Sequence, residues 1–146
     1  MPLTPAQAPT APIRFEQIEI GQLFRTSESF GNSAMDEFAA LSSDYSAIHT
    51  DLETARQCGF PDRLQYGFLL ASLLSRIVGS NFNRAVCASV SLDFMKPVPA
   101  SVRVDVSAEV TQVQQTMRSV ALRITMTSEG QTVARGKLTT VFLPEH

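Results

Sequence analysis

The chain carries little net charge, few cysteines, no apolar run long enough for a bilayer and no internal repeat, and each shortage removes a class of protein. A net charge of −2, from 12 Lys and Arg against 14 Asp and Glu, advertises neither a nucleic acid nor an anionic membrane as partner. Any phosphate-bearing ligand must therefore meet a local basic cluster rather than an overall field. The two cysteines, Cys58 and Cys87, form neither a metal knuckle nor a C-x-x-C redox pair. They read as two buried free thiols in a reducing cytosol. The longest apolar run, Gly67 to Leu74, is too short to span a bilayer and holds Ser72 inside it. The Pro-, Ala- and Thr-rich stretch from Pro2 to Pro12 has no basic start and no long apolar core, so it is not a signal peptide. It reads as an extended or disordered tail over residues 1–13. The expectation is a soluble, cytoplasmic protein.

What remains is ordinary globular material. Of 146 residues, 44% are apolar and 18% charged, which suits one domain over residues 14–146. A domain of this size buries roughly 70% of the surface its unfolded chain exposes, enough for a real core. Phe15 to Ile20, then Leu23 to Phe30 beyond Gly21, read as a first strand region. Ser33 and Asp36 form a capping pattern ahead of Ala34, Phe38 and Leu41 at helical spacing, and Ser42, Ser43 and Asp44 stop that helix. Thr50 with Glu53 forms a second capping box on a short helix from Asp51 to Cys58, closed by Gly59.

Tyr66 to Ser80 is a helix apolar nearly all round, which predicts burial on every side. The wrapper is in the second half. Val86–Phe94, Val102–Val110, Ser119–Thr127 and Thr132–Phe142 alternate with the strand period and are separated by turn residues. Four such strands predict an antiparallel meander. One apolar helix with a long antiparallel sheet curled around it is the α+β hotdog plan. Pairing of exposed sheet edges between two copies predicts a homodimer.

The chemistry-bearing candidates lie around the helix ends. A carboxylate and an imidazole that converge can hold and deprotonate a water, and Asp44 and His49 flank one short loop. Asp44 sits just past one predicted helix and His49 just before the next, where the dipole disfavours imidazolium. A neutral His49 can accept a proton; Asp44 either holds its tautomer or is itself the base. The plainer reading is an Asp helix stop and a His turn residue. Gly67 opens the apolar helix, whose first amides lack internal partners, so a thioester carbonyl could be polarised there; the plainer reading is a flexible helix entry. Ser75, inside that helix, needs a partner if buried: the carbonyl one turn earlier, Asp44 or a substrate. Ser72 is an equal candidate on composition. Lys96, Arg84 and Arg103 flank strand ends, either as partners for phosphate or as solvated surface charge.

Phe38 to Asp51, reading FAALSSDYSAIHTD, resembles the F-A-x-L-S-x-D-x-N-P-x-H-x-D signature of the MaoC-like (R)-specific enoyl-CoA hydratases. Tyr66 to Ser75 is similar to the family's H-G-x-L-x-A-S-L-x-S helix, and Phe94 to Val98 to its F-x-x-P-V strand end. The resemblance runs in order over about residues 20–143. It implies water addition across a trans-2-enoyl thioester, or the reverse dehydration of an (R)-3-hydroxyacyl thioester, with Asp44 and His49 catalytic. It implies that Gly67 holds the thioester carbonyl, that Ser75 rather than Ser72 is the active-site serine, and that the protein works as a hotdog dimer with CoA at the subunit interface. No metal or redox cofactor is implied; CoA or a carrier protein enters only as part of the substrate. The chain departs from the pattern at Ser46-Ala47, where the family has Asn-Pro, and at Tyr66, where it has His. Those changes place Ser46 and Tyr66 among the substrate-side candidates, with Tyr66 at the pocket mouth. They point to altered substrate or slow turnover. Two other expectations stand beside the hydratase: a hotdog acyl-CoA thioesterase, and a non-catalytic hotdog that binds an acyl thioester. Polyhydroxyalkanoate supply, fatty-acid oxidation and polyketide tailoring all fit as settings.

Overall fold

The computed structural model describes residues 11–145. The expected tail therefore lies largely outside the described residues. Ile13 is already part of the domain: its N–H donates to the Asn81 carbonyl at 2.7 Å and its carbonyl accepts from Asn83 at 2.8 Å.

Five strands and four helices follow. Strand β1 (Leu23–Glu28) precedes helices α1 (Asn32–Ser42), α2 (Ala47–Thr50), α3 (Leu52–Gln57) and α4 (Gly67–Asn81). Then come β2 (Ala85–Phe94), β3 (Val104–Gln114), β4 (Ser119–Ser128) and β5 (Gln131–Phe142). Phe15–Gln17 forms a 3-10 turn, so the first strand region shrinks to β1 alone. No helix among the described residues is long and apolar enough to cross a membrane.

The strands form one antiparallel sheet in the order β1-β3-β4-β5-β2. β3, β4 and β5 are the expected meander. β2 is not: it pairs with β5, not with β3. The reason lies in the connection after Phe94. Pro97 and Pro99 have no N–H to give a ladder, and the chain there bonds to the segment before α4. Gln65 N–H donates to the Val98 carbonyl at 2.8 Å, Ala100 N–H to the Arg63 carbonyl at 2.7 Å, and Leu64 bridges Pro99. The connection is thereby drawn across the start of α4 to the other side of the sheet.

The core sits between α4 and the sheet's inner face. Leu69, Leu70, Leu73, Leu74, Ile77 and Val78 pack against alternate residues of β3 and β4, among them Val106, Val110, Leu122, Ile124 and Met126. Arg76 fastens the helix to β1, donating to Glu28 at 2.8 Å and to the Ser27 carbonyl and Thr26 hydroxyl at 3.2 Å. The expectation of a helix buried all round is corrected. Phe68 is 81% exposed, and Ser72, Ser75 and Gly79 continue the same exposed stripe at helical spacing. The sheet covers one side of α4, and among the described residues nothing lies over the stripe from Phe68 to Gly79. β2 is likewise exposed along nearly its whole length.

The caps also differ from expectation. α1 begins at Asn32 with Gly31 as its cap and no side-chain bond, while Asp36 is engaged by Arg63 at 3.0 Å. α3 is capped by Asp51, which accepts from Thr54 N–H at 3.2 Å; Thr50 instead turns its hydroxyl back to the Ser46 carbonyl at 3.1 Å. Cys58 and Cys87 are exposed, not buried.

Where β2 meets β5 the backbones leave no room for a side chain at one position. A Cβ on Gly136 would lie 1.8 Å from the Ser91 carbonyl oxygen. Backbone, unlike the end of a side chain, cannot swing aside. We expect Gly136→Ala to lower stability by about 1–3 kcal/mol or more, the range for overpacking, read as a lower urea midpoint at an unchanged m-value.

Candidate active site

The site is built on the chain reversal between α1 and α3. Helix α1 stops at Ser42 because Ser43 takes a left-handed turn (φ 59°). The Ser42 hydroxyl donates to the Phe38 carbonyl at 2.7 Å and accepts from the Asp44 N–H at 3.1 Å. The Asp44 carboxylate then accepts from both the N–H and the hydroxyl of Ser46, at 3.1 and 2.5 Å. Donors stabilise the charged form. The Ser46 hydroxyl first, then its N–H and more weakly the nearby His49, hold the Asp44 carboxyl below the ordinary aspartate value of 3.8. Ser46 is thus committed to Asp44; that part of the loop is braced despite lacking the Asn-Pro of the hydratase signature.

His49 stands in the last turn of the four-residue α2 and, as expected, just ahead of the next helix start, two residues before the Asp51 cap of α3; that position does not by itself orient the ring. Its orientation has another cause. Nδ1 lies 2.7 Å from the Leu64 carbonyl oxygen. A carbonyl can only accept, so Nδ1 carries the hydrogen and Nε2 of the neutral ring is left as the acceptor. No hydrogen bond joins the Asp44 and His49 side chains among the described residues.

His49 and Gly67 line one cavity of about 360 Å³ together with Leu70, Phe94 and Lys96. Gly67 is the first residue of α4, and Tyr66 before it offers the helix no side-chain cap. The leading amides of α4 thus have no acceptor within the helix. A Cβ on Gly67 would lie 3.1–3.3 Å from the Phe94 ring, so glycine keeps ring and helix start in contact. Lys96 bonds the Gln131 amide oxygen and, among the described residues, has no carboxylate partner. Arg103, by contrast, is paired with Asp105 at 2.9 Å and lines a different groove, over β1 and β3.

Two expected site residues stand elsewhere. Tyr66 is not at a pocket mouth: it is 2% exposed, and its hydroxyl donates to the Asp44 carbonyl at 2.8 Å. Ser75 is not buried and does not reach Asp44 within the chain; it is exposed in a separate apolar groove between α4 and β2, with Val78, Val86 and Val90. Ser72 bonds back to the Leu69 carbonyl. Two contributors escaped the sequence reading. One is the Leu64 carbonyl, a main-chain atom that no residue type announces. The other is Gln65, 5% exposed, whose amide nitrogen donates to the Pro99 and Val102 carbonyls at 2.8 and 3.0 Å. A glutamine just before an apolar helix carried a signal, since a buried amide must find partners.

An antiparallel sheet curled over one helix, with an imidazole lining the cavity at that helix's start and a carboxylate held in the adjoining loop, defines a hotdog domain. The chain belongs to the MaoC-like family: residues 6–137 match the MaoC-like domain. It is 31% identical over 121 residues to an (R)-specific enoyl-CoA hydratase of Aeromonas caviae, covering 82% of this chain and 90% of that protein. It is 36% identical over 81 residues to a mitochondrial 3-hydroxyacyl-[acyl-carrier-protein] dehydratase of Arabidopsis thaliana, but that match takes in 56% of this chain and 49% of the plant protein. The solved structure of the A. caviae (R)-hydratase involved in PHA biosynthesis superimposes with a TM-score of 0.84 at 28% identity, over 88% of this chain and 99% of that one. Both named activities are hydro-lyase activities.

Ser46→Ala removes the hydroxyl that does most to stabilise the Asp44 anion. The Asp44 titration midpoint is expected to rise towards 3.8, read by carbon-detected NMR of the side-chain carboxyl. An unmoved midpoint would remove Ser46 from this role.

Proposed function

We propose that this protein adds water across the 2,3 double bond of a trans-2-enoyl thioester to give the (R)-3-hydroxyacyl thioester, and catalyses the reverse dehydration. The observation that carries the reading is His49. Its Nδ1 is occupied by the Leu64 carbonyl, so Nε2 is the acceptor of a ring that lines the same cavity as the open start of α4.

In the hydration direction, water oxygen bonds to C3 as Asp44 or His49 takes one water proton. The π electrons move through C2 towards the thioester carbonyl, and a proton is delivered to C2. The sum is H and OH across the double bond, with no net change in the enzyme. The amides at Gly67 face the charge that gathers on the carbonyl oxygen, where aligned donors contribute most. Lys96, without a carboxylate partner among the described residues, is the cation on this reading that meets a phosphate of CoA or of a carrier protein's prosthetic group. The scheme calls for no metal and no redox cofactor, since no electrons pass to a carrier.

We also propose that the working unit is a homodimer. Val86, Val90 and Phe94 on β2 are 45–49% exposed, and Phe68 on α4 is 81% exposed beside them in the fold's uncovered side. An edge strand with apolar side chains beside an uncovered helix stripe suits a second copy. That contact would also bring the exposed face carrying Ser75 up against the partner, which a single chain leaves apart from Asp44 and His49.

The test is loss of enoyl-thioester absorbance over a chain-length series of trans-2-enoyl-CoA substrates. Activity is expected, with Asp44→Asn lowering turnover by at least about 10²-fold, the size expected for losing one member of a proton-transferring pair. His49→Ala is expected to be comparably severe, because residues that act as a unit do not add. Wild-type turnover retained in folded Asp44→Asn would refute its role, and release of free thiol in place of hydration would mark a thioesterase. For the dimer, sedimentation should give twice the chain mass, and Val90→Lys should reduce it to one.

A further inference from the structure

We infer that Tyr66 is the positioning residue that sets Asp44 and His49 relative to each other, one by its hydroxyl and the other by its ring. The inference rests on the reading of those two residues as the water-handling pair. It starts from a gap in that pair: the two side chains share no hydrogen bond, so something else must relate them. Tyr66 touches both. Its hydroxyl donates to the Asp44 main-chain carbonyl at 2.8 Å. Its ring lies against the His49 imidazole, with centroids 4.1 Å apart and planes 23° from parallel. Phe38 closes on the phenol ring at 4.7 Å and 57°.

The surroundings make these contacts firm. Tyr66 is 2% exposed, so water does not compete for its hydroxyl. Burial, and after it the charge of Asp44, push the phenol pKa above its ordinary value. The hydroxyl therefore keeps its hydrogen and remains a donor. His49 is left with two constraints of different kinds: the Leu64 carbonyl directs Nδ1 within the ring plane, and Tyr66 limits movement perpendicular to it. Asp44 has three: Ser42 on its N–H, Ser46 on its carboxylate and Tyr66 on its carbonyl. Ser46 also reaches His49, but only along the main chain, its carbonyl accepting from the His49 N–H at 3.0 Å; the contact with the imidazole ring itself is made by Tyr66. The hydratase signature has His at this position and Asn-Pro inside the loop. Here the phenol's longer reach to the Asp44 carbonyl stands where that proline would have stiffened the backbone.

The experiment separates hydroxyl from ring in the full chain. Steady-state hydration of crotonyl-CoA is measured for wild type, Tyr66→Phe and Tyr66→Leu, with thermal unfolding to check folding. The His49 ring resonance is followed by NMR in histidine-labelled protein, where only two histidines are present. Tyr66→Phe should lower kcat about 10-fold, with KM moved less than twofold and the His49 resonance still shifted by the stacked ring. Tyr66→Leu should lower kcat by about 10²-fold, the scale of a small misplacement of reacting groups, and lose that ring-current shift. A purely structural role would lower the unfolding temperature and leave kcat of the folded protein unchanged. That result overturns the inference, as does a KM effect without a kcat effect. An inactive wild type defeats the hydration reading instead. Even then the resonance decides: an identical His49 signal in wild type and folded Tyr66→Leu refutes the placement of His49 by Tyr66.

Discussion

The tie between residues 63–65 and residues 98–100 is the constraint from which the rest of the site follows. Two main-chain bonds and the Leu64–Pro99 bridge join a segment before α4 to one after β2. The Gln65 amide adds two bonds from the interior, to Pro99 and Val102. Buried bonds of this kind contribute modestly when made and cost much when broken. The tie aims the Leu64 carbonyl at His49, fixes where Gly67 opens α4, and brings Phe94 and Lys96 over that opening. The same tie carries the chain from β2 to β3 across the helix, so topology and active-site geometry have one origin.

Much of this was legible in the sequence because the fold is written in periodicity. Strand alternation placed four of the five strands to within a few residues, and the apolar residues spread through Tyr66 to Ser80 announced the central helix. What alternation does not carry is pairing. The β2–β5 pairing depends on where a proline-containing connection finds acceptors, and those are carbonyls of a distant segment. The buried-all-round reading of α4 failed for a related reason. Phe68 counts as apolar in a list of residue types, yet it occupies the stripe that the chain's own sheet does not reach. Ser75 lies on that same stripe, in a groove apart from the cavity that His49 and Gly67 line.

The site itself was legible as residue types and not as directions. Asp44 and His49 could be named from their spacing and from the resemblance, but the spacing could not say that their side chains would miss each other. Nor could it say that His49 would take its tautomer from a main-chain oxygen rather than from Asp44. Ser46 and Tyr66 read as losses against the hydratase signature because they were compared letter by letter. In the folded chain both turn to Asp44, one to its carboxylate and the other to its carbonyl. A departure from a motif is a deficit only if the lost contact has no substitute.

The tautomer bears on direction as well as on rate. Hydration asks the site for a proton acceptor at the water, and dehydration asks the same atoms for a donor at the departing hydroxyl. A group that serves both must pass through both protonation states without changing its place. His49 can do so, because the bond from Nδ1 to Leu64 is made by the imidazole and by the imidazolium alike, and the change occurs at Nε2. Asp44 is less suited to that exchange. Its carboxylate is held in the charged form by Ser46, so protonation works against both of those bonds. On the hydration reading proposed above, His49 is the better suited of the two to exchange the proton, at Nε2, and Asp44 to stand as a fixed negative charge that orients water.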